Sequence, residues 1–455
     1  MPFVIHAGNN LDILPTLPDN SVDSIVTDPP YELNFMNRKW DNSGIAYSVE
    51  LWTECLRVLK PGGHLLSFGG TRTWHRVAVA IEDAGFDVRD SIAWMYGSGF
   101  PKSLDVSKAI DKAAGAEREK IPATGSLHKN KNLNDDSWSK IGVENPLMDS
   151  AIAKTPEAEQ WQGWGTALKP AFEPIVVARK PLIGTVAANV LEHGTGALNI
   201  DGSRIGTEDS LYRASSIALP ENQTMNEGYQ RPWKKDSDKV AEANQRTQDK
   251  SRIADNLGRW PANVILDEYS AAELDEQSGT SKDGVAVNRN RSGQKPNEVY
   301  AGGWANLNED VGYAGSGGAS RFFYCAKASK RDRNEGLEGL KAATAGEMVD
   351  RVEGSAGMNS PRAGAGRTAG SQNFHPTVKP TNLMRYLVKL VTPPGGTVLD
   401  PFTGSGSTGK AAILEGFDFI GIELTEEYLP IIEGRLAYAE QMRLNEQQKK
   451  DEGLF

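Results

Sequence analysis

Apolar positions along this chain keep two rhythms. Short runs rich in Val, Ile and Leu stop abruptly at acids, glycines or prolines, and between them apolar residues return at helical spacing. Val22-Asp23-Ser24-Ile25-Val26-Thr27 is one such run, halted by Asp28-Pro29-Pro30. Gly62-Gly63-His64-Leu65-Leu66-Ser67-Phe68 reads as the next strand. Trp74, Val77, Ala78 and Ile81 then predict a helix stopped near Gly85, before another strand around Ile92-Ala93-Trp94. Glu173-Pro174-Ile175-Val176-Val177-Ala178-Arg179 returns as an apolar strand, predicted to pair with the one near Trp94.

The same alternation resumes late in the chain. A helix from Asn382 carries Leu383, Tyr386, Leu387 and Leu390 on one face and ends at Pro393-Pro394-Gly395-Gly396. Thr397-Val398-Leu399-Asp400 and Phe419-Ile420-Gly421-Ile422-Glu423 are strands that each end in an acid. A last helix is expected to bury Tyr428, Ile431, Ile432 and Leu436. Strands alternating with helices predict an α/β fold, a mostly parallel, Rossmann-like sheet with helices on both faces.

Polar stretches divide this ladder. Residues 1–110 form a first half, 111–165 a loop-rich insertion, and 166–190 a strand returning to the sheet. Residues 191–335 are rich in Gly, Asn and charge, with short apolar islands such as 260–266 and 321–324. Residues 336–372, rich in Gly, Ala and Ser, read as a flexible linker or loop. The second half occupies 373–445, and the polar tail 446–455 is expected to fray.

Two strings carry chemistry. Asp28-Pro29-Pro30-Tyr31 leaves a strand at its carboxyl end, where ligands of open α/β sheets sit. Two prolines fix a carboxylate, a carbonyl and an aromatic ring in one geometry. An amino group on a nucleobase is a poor nucleophile, because its lone pair is delocalised into the ring. The Asp28 carboxylate and the Pro29 carbonyl, each accepting from one N–H, would free that lone pair, and Tyr31 would stack on a base taken out of a duplex. The bland alternative is an ordinary strand-end turn.

The second string, Asp400-Pro401-Phe402-Thr403-Gly404-Ser405-Gly406, joins a strand to a helix, and the next strand ends at Glu423. Such a unit binds an adenosine, the acid suiting ribose hydroxyls. Three cofactors compete for it. Gly404-x-Gly406-x-x-Gly409 matches a dinucleotide fingerprint. Gly404 to Lys410 matches a phosphate-binding loop, except that Ala411 stands where a hydroxyl is required. Asp400 favours the third, S-adenosylmethionine, since a carboxylate suits its ammonium group and repels phosphate. A helix-capping turn without ligand is the remaining alternative.

In this order, with His375-Pro376-Thr377-Val378-Lys379-Pro380 before a helix, the strings resemble the beta group of DNA amino-methyltransferases, like those of bacterial and phage site-specific enzymes. That resemblance covers 1–110, 166–190 and 373–440. It implies a permuted methyltransferase sheet with an irregular target-recognition domain at 191–335. It implies Asp28, Pro29, Pro30 and Tyr31 as catalytic loop, and Asp400, Pro401, Phe402, Gly404, Gly406 and Glu423 as donor site, with Thr377 and Lys379 beside it. Many relatives carry Gly-Asp near the amino terminus where this chain has Gly8-Asn9, so Asn9 is expected to accept from the donor more weakly. The implied activity is methylation of adenine N6 in double-stranded DNA. Cytosine N4 is the runner-up, and an inactive DNA-binding relative the rival from another class.

Composition adjusts this picture. The 455 residues carry a net charge of −10, so DNA binding requires a local basic face. Arg321, Lys327, Arg331 and Arg333 are the candidates, although a core strand with a charged flank reads equally well. Two cysteines and six histidines lack ligand spacing, and no metal is expected. No apolar run approaches membrane-spanning length and the first residues do not read as a signal peptide. A cytoplasmic protein of a bacterium or phage-infected cell is therefore expected. The relatives often dimerise, which leaves a homodimer as one candidate assembly.

Overall fold

The computed structural model describes residues 2–33, 39–97, 103–122, 147–207, 258–282, 316–326, 331–343 and 371–452, with a few isolated positions between them. Its main element is a nine-stranded sheet. The strands are β1 (Phe3–Ala7), β2 (Val22–Thr27), β3 (Leu59–Phe68), β4 (Asp87–Met95), β5 (Phe172–Arg179), β6 (Val264–Asp267), β7 (Tyr324–Ala326), β8 (Thr397–Asp400) and β9 (Asp418–Glu423). They lie in the order β1-β9-β8-β2-β3-β5-β4-β6-β7. All neighbours run parallel except that β5 is antiparallel to both β3 and β4. The α/β expectation therefore holds.

Period-two alternation decides which side chain faces which layer. Val26, Leu66 and Val177 join one apolar cluster with α4 (Thr381–Val391), α5 (Ser407–Leu414) and α6 (Leu429–Asp451). Ile25, Leu65 and Val176 join the other with α1 (Val49–Val58) and α2 (Trp74–Asp83). Helices thus cover both faces, and β2 is buried along its whole length. Ser48 starts α1 by accepting from the Leu51 N–H, and Leu51, Trp52, Cys55 and Val58 form its inward stripe. Cys55 is a core residue.

The register across β8 and β2 explains how distant strings meet. Val398 pairs with Ser24 and Leu399 with Ile25, so Asp400 and Asp28 leave adjacent strands at one edge. The chain closes its own permutation by pairing β1 with β9, from Phe3 against Phe419 to Ala7 against Glu423.

Contacts divide the chain into two compact units. The first comprises 1–97, 172–342 and 372–455, and the second 98–171 and 343–371. Boundaries expected at 110 and 165 thus fall near 97 and 171. The described residues of the second unit hold helices Val106–Ala113 and Pro156–Gln160, linked where Thr155 donates to Asp111, which also pairs with the buried Arg118 at 2.6 Å. Burial raises the Asp111 pKa, but hydrogen bonds from Lys154, Thr155 and Arg118 outweigh it and hold the group down to about 2.

Three further expectations change. Within 191–335, the strands β6 and β7 belong to the sheet and extend its edge beyond β4. Residues 336–342 are not a free linker, since Leu337 is buried against Tyr428 and Ile431. The tail does not fray at 446, since α6 continues to Asp451. Its last turns are polar on every face and carry i,i+4 hydrogen bonds from Gln441 to Asn445 and from Gln447 to Asp451.

Candidate active site

Asp28 stands one residue past β2, and its carboxylate is the centre of a tight polar group. Lys379 Nζ donates to Asp28 Oδ2 at 2.5 Å. The Tyr31 hydroxyl lies 3.0 Å from Asp28 Oδ1 and 2.8 Å from Glu173 Oε2, and its single proton serves one of them at a time. Lys379 Nζ also lies 3.3 Å from Glu173 Oε2 and over the Phe68 ring, 4.7 Å from its centroid. Thr73 Oγ1 donates to the Tyr31 carbonyl at 2.9 Å. A Cβ on Gly70 would come within 3.2 Å of the Tyr31 side chain, so glycine permits that ring's position.

Charge in this group is unequal. Burial is the largest influence on Asp28 and raises its pKa, against the lowering effect of Lys379. Burial pulls Lys379 down, yet the two carboxylates outweigh it and hold the ammonium protonated. Two acids share one cation.

The glycine turn after β8 is built on two carboxylates. Asp400 Oδ1 accepts from Thr27 Oγ1 at 2.6 Å and from the Phe402 N–H at 3.1 Å. Glu423 accepts from the Gly404 N–H at 2.7 Å with one oxygen and from the Thr425 N–H at 2.8 Å with the other. Gly404 and Gly406 have φ of 55° and 73°, a region that side chains disfavour. A Cβ on Gly404 would also meet the His375 ring at 3.0 Å. Arg435, fully buried, donates to the Ser405 carbonyl at 2.6 Å and pins the turn from below.

Lys410 decides between the competing cofactors. A phosphate-binding loop needs this ammonium at the phosphates. Here it is buried, 2.6 Å from Asp332 and 3.0 Å from Glu335. With acids at the edge and Lys410 turned inward, the turn is unsuited to a triphosphate.

Residues 22–434 match the family model described as DNA methylase, of the N6/N4 type. The chain belongs to the DNA methylase family. Among relatives, the type II methyltransferase M.HindIII of Haemophilus influenzae is 29% identical over 155 residues, covering 33% of this chain and 38% of that protein. The DNA adenine methyltransferase YhdJ of Escherichia coli K12 is 49% identical over 55 residues, 12% of this chain and 19% of that protein. Each match spans less than half of the relative's length. Among solved structures, the cytosine-N4-specific PvuII DNA methyltransferase aligns over 97% of this chain and 93% of its own, at 12% identity and a TM-score of 0.39.

In this DNA methylase family member the sequence-predicted residues do not all meet in one place. Asp28, Tyr31, Asp400, Phe402, Gly404 and Glu423 gather at one sheet edge, with Pro29, Pro30, Pro401 and Gly406 shaping their turns. Lys379 belongs with Asp28 rather than with the glycine turn, because its ammonium reaches Asp28 and Glu173. Thr377 presents its carbonyl and N–H to His375 Nδ1, at 3.0 and 3.3 Å. Asn9 caps the short helix Asn10–Ile13, accepting from the Leu11 N–H at 3.2 Å, while the neighbouring Gly8 N–H donates to the Glu423 carbonyl.

The basic candidates for DNA contact differ in what they already hold. Arg333 is committed to the fold, donating to the carbonyls of Asn373 at 3.0 Å and His375 at 2.6 Å. Arg321 donates to the Gly317 and Gly318 carbonyls. Arg331 is 85% exposed, beside Glu335 at 3.6 Å. Lys327 lies outside the described residues. Among the described residues no cluster of His, Cys, Asp or Glu is placed to hold a metal, and no helix is long and apolar enough to cross a membrane.

Glu173 and Asp332 are the residues that sequence reasoning missed. The sequence places Glu173 at the start of a strand, and only the reversed direction of β5 brings it to the carboxyl edge.

Asp400 gives a pH prediction. Burial, the largest influence, lifts its pKa from 3.8 to about 6 against the hydrogen bond from Thr27. A raised carboxyl stabilises the fold fully below its ordinary value and loses that contribution as pH climbs through about 6. Asp400→Asn should therefore be the more stable protein at pH 8, by on the order of 2 kcal/mol, with the advantage fading toward pH 4. Urea unfolding of both proteins at the two pH values measures it.

Proposed function

We propose that the chain methylates the exocyclic N6 of adenine in double-stranded DNA, with S-adenosylmethionine as donor and the target base flipped out of the helix. One observation carries this reading. The strand that delivers Asp28 and the strand that delivers Asp400 are hydrogen-bonded neighbours, joined at their ends by Thr27 Oγ1 and the Asp400 carboxylate. An acceptor for an amino group and a turn suited to an adenosine therefore share one edge.

The residues present fit the donor. The left-handed glycines leave backbone open beside Phe402, whose ring is partly buried. Asp28, Asp400 and Glu423 surround that edge with carboxylate, which favours a cationic ligand and disfavours a phosphate. When bound, S-adenosylmethionine supplies an electrophilic methyl carbon on a sulfonium. Asp400, Phe402, Gly404 and Glu423 would hold it.

The protein's own contribution is positioning and charge. Asp28 and the Pro29 carbonyl accept the two N–H bonds of the target amino group and turn its lone pair toward the methyl carbon. Burial raises the Asp28 pKa, and the Lys379 ammonium works against that rise, favouring the carboxylate that accepts from the target amino group. Tyr31 offers a ring face for the flipped base, anchored by its own hydroxyl and by Thr73. Residues 191–335 supply target recognition, with Arg331 the most accessible of the described basic candidates.

Adenine is favoured by Asp28 itself, since cytosine-N4 enzymes of the beta group often carry Ser at that position. Cytosine N4 is the second reading, because both bases present an amino group beside a ring nitrogen. Expression in a host without DNA methylation, followed by mass spectrometry of the nucleosides, separates the two. N6-methyladenine is expected; N4-methylcytosine would keep the mechanism and change the base.

A further inference from the structure

We propose that Glu173 is the outlet for the proton that methyl transfer releases, reached from Asp28 through the hydroxyl of Tyr31. The inference rests on the amino-methylation reading above and adds to it a residue with no role in the two motif strings.

The sheet topology places Glu173 where an outlet is needed. Along β2, β3, β8 and β9 the carboxyl ends form the working edge, and β5 alone runs the other way. Its second residue, Glu173, therefore arrives at that edge, two strands away from Asp28. The line Asp28 Oδ1, Tyr31 hydroxyl, Glu173 Oε2 has links of 3.0 and 2.8 Å, both within hydrogen-bond reach. A phenol donating to Glu173 still has lone pairs facing Asp28.

Atoms and electrons balance along this line. The amino nitrogen uses its lone pair to bond the methyl carbon, and the pair of the broken C–S bond stays on sulfur. The nitrogen then carries one proton too many, which passes to Asp28. Asp28 hands a proton to the Tyr31 oxygen as the Tyr31 hydroxyl proton passes to Glu173. Asp28 is again a carboxylate, Tyr31 again a neutral phenol, and Glu173 is an acid that discharges to water.

Lys379 already holds its full complement of protons between two carboxylates. The Asp28 side chain is 20% exposed, and on the amino-methylation reading the target amino group covers it during the step. Glu173 keeps its own access, with its side chain 19% exposed.

The test uses the full-length protein, methyl-labelled S-adenosylmethionine and unmethylated plasmid DNA. Glu173→Gln keeps an acceptor for the Tyr31 hydroxyl but cannot take up a proton. Its steady-state turnover should fall by about tenfold or more, at or below the lower end of what proton transfer contributes. Its first turnover, with enzyme in excess, and its donor affinity should stay within about threefold of the native values. The acid limb of the native pH–rate profile should flatten in the variant.

Tyr31→Phe keeps the ring and breaks the same line, so the double variant should be no slower than the slower single one. That pair also serves if Glu173→Gln does not fold. A native turnover rate and pH profile in Glu173→Gln would overturn the outlet while leaving amino methylation intact. So would losses that multiply in the double variant, or equal losses in first turnover and donor binding. A native protein that forms no methylamino nucleoside would overturn the reading and the outlet together.

Discussion

Asp28→Asn is expected to lower methyl transfer to DNA by about 10²–10³-fold or more, the range seen when one preorganised charge-stabilising group is lost. The amide keeps the size of the side chain and can still accept one hydrogen bond. It loses the negative charge that faces the positive charge moving from sulfur to nitrogen. Its one oxygen can still take the bond from Lys379, 2.5 Å from Oδ2 in the native protein, but its N–H₂ is then no acceptor for the target amino group. Lys379 would then be left with Glu173 as its one carboxylate. The loss should appear in kcat, with donor binding nearly unchanged, because Asp28 serves the transition state rather than the donor. Labelled methyl incorporation at saturating donor, beside equilibrium donor binding, separates the two effects.

The second large effect lies in stability. Asp332 accepts from Lys410 at 2.6 Å and from the Thr381 N–H at 2.8 Å. Its other neighbour is Arg435, and both Lys410 and Arg435 are almost completely buried. Asp332→Ala leaves Lys410 with Glu335 alone, removes the carboxylate beside Arg435 and takes the cap from the first turn of α4. Removing one partner of a buried pair costs roughly 3–5 kcal/mol, and a cap about 1 kcal/mol. Burial pushes the Asp332 pKa up, but Lys410 and Thr381 outweigh it, so the group is held below 3.8. A depressed carboxyl stabilises above its ordinary value and loses that contribution as pH falls, so the native advantage should shrink below about pH 4. Urea unfolding of native and Ala proteins at pH 7 and pH 4 reads both quantities. Since α4 begins directly after Lys379-Pro380, a weakened start should also loosen Lys379, seen as lower turnover in Asp332→Ala well below its unfolding midpoint.

What could be read from the chain follows from how each element is buried. Strands β2, β3, β5, β8 and β9 are covered on both faces, so they write continuous apolar runs with sharp ends. The first strand, Phe3–Ala7, lies at the sheet edge and is only partly covered, so its pattern is weak. β6 and β7 have four and three residues, too short for a period, and their apolar islands read as part of a recognition region. The catalytic loop and glycine turn were legible because each needs a local string of prolines or glycines. Asp332 was not. It caps α4 from 49 positions upstream, since Pro380 at the local cap offers no side-chain acceptor. Glu173 was hidden for a related reason: its place depends on the direction of a strand, which side-chain pattern does not encode.

The most direct test of the account is to incubate the purified chain with unmethylated plasmid DNA and methyl-labelled S-adenosylmethionine, then identify the labelled nucleoside by mass spectrometry. The account predicts label on an exocyclic amino nitrogen, adenine N6 first, and none with Asp28→Asn. Label on a ring carbon, or equal label with the Asn protein, would contradict it.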